Sequence, residues 1–157
     1  MYQRILVPID GSTTSNRALT AAIGMAQAFR GRLRLIYVVD EAAYVTGYDP
    51  SGGYSGELIR VMRESGEKIL NEGMSLAKAA GIEADSMLFD TFGERLGEVV
   101  AKAAKLWNAD LVVVGTHGRR GFSRLLLGSG AEQVIRLAPV PVLAIRAAEE
   151  DVDGHGG

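Results

Sequence analysis

Five short apolar runs, each followed by a segment of helical periodicity except the last, constrain the fold of this chain more than any other feature. The runs are Arg4–Asp10, Arg32–Val39, Ile82–Phe89, Asp110–Val114 and Val140–Arg146. Between them, apolar residues recur three and four positions apart: Ala18, Leu19, Ala22, Ile23, Ala26 and Phe29 over 14–29; Leu58, Ile59, Met62, Ile69, Leu70, Leu76 and Ala77 over 57–80; Leu96, Val99, Val100, Ala103, Ala104 and Trp107 over 94–107. A fourth helix is expected over Glu132–Ala138. Runs that are apolar throughout suit strands buried on both faces, and helices between them supply the crossovers that parallel strands require. The expected fold is therefore α/β: a doubly wound, Rossmann-like or flavodoxin-like sheet of five parallel strands in the order 3-2-1-4-5, with helices on both faces. The third run, interrupted by Glu83, Asp85 and Ser86, belongs at the sheet edge.

Local signals set the boundaries. Ser12, Thr13, Thr14 and Ser15 are candidate N-caps for the first helix, Gly31 and Gly81 are placed to close the first two, and Ala138-Pro-Val-Pro stops the fourth. Gly66 and Gly73 each lower the intrinsic stability of the second helix by about 1 kcal/mol relative to alanine, so packing has to hold it. Trp107 ends an amphipathic helix and is expected in the core. Asp40–Gly56, with four glycines, one proline and Tyr44, Tyr48 and Tyr54, reads as a long loop: a lid or partner surface on one reading, an irregular surface segment on the other.

At 157 residues and 47% apolar composition, one domain over 1–147 is expected, with a disordered tail over 148–157. A net charge of −2 argues against nonspecific binding to nucleic acid or to an anionic membrane. With no cysteine, disulfides, thiolate catalysis and cysteine-ligated zinc are excluded. No signal-peptide layout and no membrane-length apolar run is present, so the expectation is a soluble cytoplasmic protein.

The chemistry is concentrated in residues 115–131, Gly-Thr-His-Gly-Arg-Arg-Gly-Phe-Ser-Arg-Leu-Leu-Leu-Gly-Ser-Gly-Ala, between the fourth strand and the fourth helix. Glycines permit sharp turns and close backbone approach, and amides at a helix start attract anions. Arg119, Arg120 and Arg124 add positive charge, and Thr116, Ser123 and Ser129 add hydroxyls: the donors a phosphate chain needs. In doubly wound sheets ligands bind beyond the carboxyl ends of the strands where strand order reverses. Here that is between strands one and four, which end in Pro8-Ile-Asp10-Gly and Gly115-Thr-His-Gly118.

The spacing Gly115-x2-Gly118-x9-Gly128-Ser129 resembles the ATP-binding motif of the universal stress protein family. The resemblance extends to Ile5-Leu-Val-Pro-Ile-Asp-Gly-Ser12, to Ala109 through Arg119 and to Ala138 through Arg146, and so covers residues 2–147. With every glycine of the motif present, it is similar to the ATP-binding branch, which implies ATP as ligand, with Mg²⁺ or Mn²⁺ as its accompanying cation. The resemblance implies Pro8, Ile9 and Asp10 on the adenosine side and Val38 at the adenine edge through its backbone. Gly115, His117 and Gly118 would lie near the ribose and α-phosphate, with Val114 and Arg119 in the same site. Gly128, Ser129, Gly130 and Ala131 would hold the distal phosphates. Gly130 departs from the family, which often has valine there. The family also implies a homodimer through Val140–Arg146, and a nucleotide-dependent regulatory role in the stress response.

Competing readings of the same residues remain open at this point. Asp10 can contact nucleotide or merely cap its own turn, and Ser129 can donate to phosphate or cap a helix. Gly128-Ser-Gly-Ala-Glu-Gln133 lacks the third glycine of a dinucleotide fingerprint, and no Walker loop occurs. His117 has no acid partner nearby in sequence, so no catalytic residue and no metal ligand is expected, and turnover is at most slow ATP hydrolysis. The alternatives to a nucleotide switch are a slow ATP hydrolase and a nucleotide-independent dimeric interaction protein with an unidentified protein partner.

Overall fold

The computed structural model describes residues 1–39, 48–49, 53–54, 56–90, 93–117 and 127–147. Strand β1 (Arg4–Pro8) leads into α1 (Thr13–Phe29), β2 (Arg32–Val38), a small ladder of β3 (Tyr48–Asp49) and β4 (Gly53–Tyr54), α2 (Gly56–Ala79), β5 (Ala84–Phe89), α3 (Leu96–Trp107), β6 (Leu111–Gly115), α4 (Ser129–Leu137) and β7 (Val142–Ile145). The five main strands are all parallel, in the spatial order β5-β2-β1-β6-β7, which is the expected 3-2-1-4-5. β5, the strand broken by polar residues, is at an edge as expected.

Alternation along the strands divides the core into two layers. Ile5 and Val7 of β1 face one way, with Leu33, Leu35, Leu111 and Val113, against Ala18, Leu19, Ala22 and Ala26 of α1 and Leu70 and Ala77 of α2. Leu6 faces the other way, with Ile36, Val112 and Val114, against Val100, Ala103, Ala104 and Trp107 of α3 and Ala131 and Val134 of α4. Ile5, Leu6 and Val7 are fully buried, and each such side chain contributes roughly 1.5–3 kcal/mol. The two glycines of α2 lie where it meets the sheet: a Cβ at Gly66 would come within 2.5 Å of the Tyr37 ring, and one at Gly73 within 2.8 Å of Leu35. Close packing thus replaces the intrinsic stability that they forgo.

Several boundaries differ from expectation. Residues 40–56 are not loop throughout, because Tyr48 pairs with Tyr54 and Asp49 with Gly53 in the antiparallel ladder. The left-handed residue closing α1 is Arg30 (φ 55°), one before Gly31. α4 begins at Ser129, three residues before Glu132, because Gly128 turns the chain into the helix. Ala138 ends α4 in an extended conformation (ψ 133°), as the following proline demands. Tyr44, Arg120, Ser123, Arg124 and the 148–157 tail lie outside the described residues.

Candidate functional site

The reversal of strand order falls between β1 and β6, and the crevice opens beyond their carboxyl ends. On the β1 side, the Ile9 N–H donates to the Ile36 carbonyl at 2.8 Å, so the extended chain continues one residue past the strand. The turn is then fixed by side chains. Ser15 Oγ accepts from the Asp10 N–H (3.0 Å), Asp10 Oδ1 accepts from the Ser12 N–H (2.9 Å), and Ser12 Oγ caps α1 by accepting from the Ser15 N–H (3.2 Å). Gly11 sits at φ 83°, which glycine adopts without strain. Of the four candidate N-caps, Ser12 performs the role. Ser15 is instead a buried hydroxyl bracing the Asp10 turn, and Thr14 is buried with it. Asp10 is engaged in its own turn, and Val38 ends β2 on the neighbouring strand.

On the β6 side, Gly115 pairs with Ile145, and the Thr116 N–H donates to the Ile145 carbonyl at 2.9 Å. Gly115 is required by packing: a Cβ there would lie 2.9 Å from Thr14 Cγ2 and 3.0 Å from its backbone. The chain that returns at 127–128 is tied to the same spot, with the Gly128 N–H donating to the Thr116 carbonyl at 2.7 Å. A Cβ on Gly128 would lie 2.9 Å from that oxygen. Gly128 is the N-cap of α4 and has no side chain to satisfy the first turn; the Glu132 N–H makes the first bond back, to Gly128. The amides of Ser129, Gly130 and Ala131 therefore have no acceptor within the helix, and the N-cap Gly128 offers none from a side chain. The crevice thus presents main-chain donors in one place. Thr116 Oγ1, in a residue 8% exposed, has no hydrogen-bond partner among the described residues. His117 is half-buried, and no described residue makes a hydrogen bond to its ring.

Pro8, Ile9 and Asp10, then Val114, Gly115 and His117, then Gly128, Ser129, Gly130 and Ala131 all belong to the carboxyl end of the sheet; Gly118 and Arg119 lie outside the described residues. Gly130 has a structural reason. A Cβ there would lie 2.7 Å from Leu96 Cδ2, and a Cβ on Gly97 would lie 2.4 Å from Gln133 Cβ, so α3 and α4 cross closely through a reciprocal pair of glycines. Gln133, which fills the place of a dinucleotide glycine, accepts from the Gly97 N–H through Oε1 at 3.2 Å and so caps α3. The sequence offered Ser15 only as a candidate cap and Gln133 only as the residue in place of a third glycine; their bracing contacts with Asp10 and Gly97 were missed. The signal for Ser15 was its place on the apolar face with Ala18, Leu19 and Ala22, where a hydroxyl needs a local partner.

Fold and site together define a doubly wound α/β protein whose topological switch point gathers the β1 turn, the end of β6 and the start of α4 at one end of the sheet. The chain belongs to the universal stress protein family, whose model matches residues 1–146. It is 36% identical over 152 residues to universal stress protein MJ0531 of Methanocaldococcus jannaschii, covering 96% of this chain and 86% of that one. It superposes on the crystal structure of a universal stress protein family member from Burkholderia pseudomallei with a TM-score of 0.76 at 33% identity, covering 93% of this chain and 97% of that one. A second similar structure, at 26% identity and a TM-score of 0.65, covering 94% of this chain and 99% of the other, is a universal stress protein in complex with cAMP. Among the described residues, no helix is long and apolar enough to cross a membrane.

Proposed function

We propose that the crevice binds ATP and that the protein is a nucleotide-dependent regulatory module of the stress response, working as a homodimer. The observation that carries this reading is the uncapped start of α4. Three amides and a helix dipole face a position that no side chain of Gly128 fills. A phosphate chain would satisfy those amides, with Ser129 Oγ as a further donor. Pro8, Ile9 and Asp10 would flank the adenosine, Val38 the adenine edge, and Val114, Gly115, His117 and Gly118 the ribose and α-phosphate, with Arg119 adding charge. Family membership and the cAMP complex of a relative support an adenine nucleotide as ligand.

Binding rather than turnover is the activity this geometry supports. His117 has no described hydrogen-bond partner to orient it as a base, and Asp10 is engaged in its own turn. The described residues offer no group of three His, Asp or Glu for Mg²⁺ or Mn²⁺, and no step is assigned to either cation. The homodimer would pair β7 with its twin through Val140–Arg146, since β7 is an edge strand whose four residues are only half-buried. Calorimetric titration with ATP tests the reading: saturable binding at one nucleotide per chain is expected. Absence of heat and of thermal protection at millimolar ATP would remove it.

A further inference from the structure

A second concentration of charge lies at the opposite, amino-terminal end of the sheet. Arg4 of β1 is in register with Arg32 of β2, and Arg34 is two residues further along β2, so all three side chains leave the same face. Like charges directly across neighbouring strands repel one another. Part of this charge is matched. Arg34 makes a two-pronged ion pair with Asp85 (2.7 and 2.8 Å), which holds the Asp85 carboxyl below its usual range. Arg4 Nε donates to the Trp107 carbonyl at 2.7 Å, and its guanidinium stacks over the Trp107 ring at 4.5 Å, with Arg34 at 4.8 Å from the same ring. Asp110 makes no ion pair with the Arg4 guanidinium; its two oxygens accept from the backbone amides of Gln3 and Arg4.

What remains faces a recess of about 220 Å³ lined by Gln3, Arg4, Arg30, Gly31, Arg32 and Glu83. Arg30 has no carboxylate partner among the described residues. Among the described residues Arg32 pairs with Glu83 at 3.8 Å, through a carboxylate that is 75% exposed, and its charge also acts on Asp85 from a greater distance. Arg4, Arg30 and Arg32 therefore border one concavity, and with Arg34 these four arginines meet three carboxylates, Glu83, Asp85 and Asp110, which leaves positive charge in excess. About 10–15 Å³ of such space suffices for a water, so a phosphate group fits with room to spare. Guanidinium forks match phosphate oxygens geometrically and retain their charge at any physiological pH.

We propose that this recess is a second anion site, separate from the crevice by the length of the sheet, and that it takes a phosphate dianion, either free or as the end of a phosphomonoester. It rests on neither the crevice nor the identity of the nucleotide.

Trp107, the sole tryptophan, is a built-in reporter because Arg4 covers its ring. Inorganic phosphate, titrated at constant ionic strength, should change Trp107 fluorescence saturably. The double variant Arg30→Asn, Arg32→Gln should raise the half-saturation point by at least about tenfold, the scale of losing charge-assisted hydrogen bonds. Asparagine tolerates the left-handed backbone at position 30, and both positions are exposed, so unchanged melting is expected of the variant. Gly128→Val should leave the response intact, which separates this site from the crevice. Glycerol phosphate run in parallel distinguishes the sources: tighter binding than inorganic phosphate identifies an organic monoester as occupant, and equal binding identifies the free anion. A response that does not saturate, or that survives in the double variant, overturns the proposal.

Discussion

The two ends of the sheet solve opposite electrostatic problems. In a doubly wound fold the helices begin at the carboxyl ends of the strands and finish at the amino ends, so amides gather at one end and carbonyls at the other. At the carboxyl end the described side chains serve the backbone: Ser12, Ser15 and Asp10 fix the β1 turn, and glycines at 115 and 128 let chains meet. At the amino end the side chains carry full charges. Arg4 and Gln3 donate to the Trp107 and Phe29 carbonyls that close α3 and α1, and Arg34 pairs with Asp85. The difference teaches where an anion can be held by backbone alone. Among the described residues, helix-start amides collect at the carboxyl end, whereas at the amino end the positive charge is on arginine side chains.

That contrast can be broken most sharply at Gly128. A valine there would push against the Thr116 carbonyl and displace the start of α4, and ATP affinity by calorimetry should fall at least about a hundredfold, as expected for losing two or more charge-assisted bonds. Gly97→Leu tests whether close backbone approach builds this end. Its Cβ would meet Gln133, and denaturant unfolding should show a loss of about 1–3 kcal/mol. Ser12→Ala removes the α1 cap and should cost about 1 kcal/mol by the same measurement.

The smallest effect is expected at the amino end. Asp85→Asn should cost no more than about 1 kcal/mol, less in high salt, because the Asp85 side chain is 55% exposed. Arg34 depresses the Asp85 pKa in the folded state, so the contribution is present above the unfolded value near 3.9 and is lost as pH falls through the lower folded value. Thermal melts from pH 7 to pH 2 should therefore show wild type and variant converging at the acid end.

Much of this was legible in the sequence because the signals were periodic. The apolar runs gave strands buried on both faces, and the polar residues of the third run gave its edge position. What was hidden depended on contacts between elements distant in sequence. Gly130 read as a mere departure from the family until Leu96 of α3 was seen against it, and Gln133 read as a failed glycine motif until it capped Gly97. α4 starts earlier than expected because polar Ser129 and Gly130 carry no apolar period, while their backbone is already helical. Arg4, Arg32 and Arg34 form one patch only through the register of β1 with β2, which no single segment encodes.

The central claim is that the free amides at the start of α4 hold the phosphates of ATP. Amide chemical shifts of Ser129, Gly130 and Ala131, followed by nuclear magnetic resonance during titration with ATP and separately with adenosine, test it most directly. The account predicts large, saturable shifts at these three amides with ATP and small ones with adenosine. Unmoved amides at millimolar ATP, or equal shifts with both ligands, would contradict it.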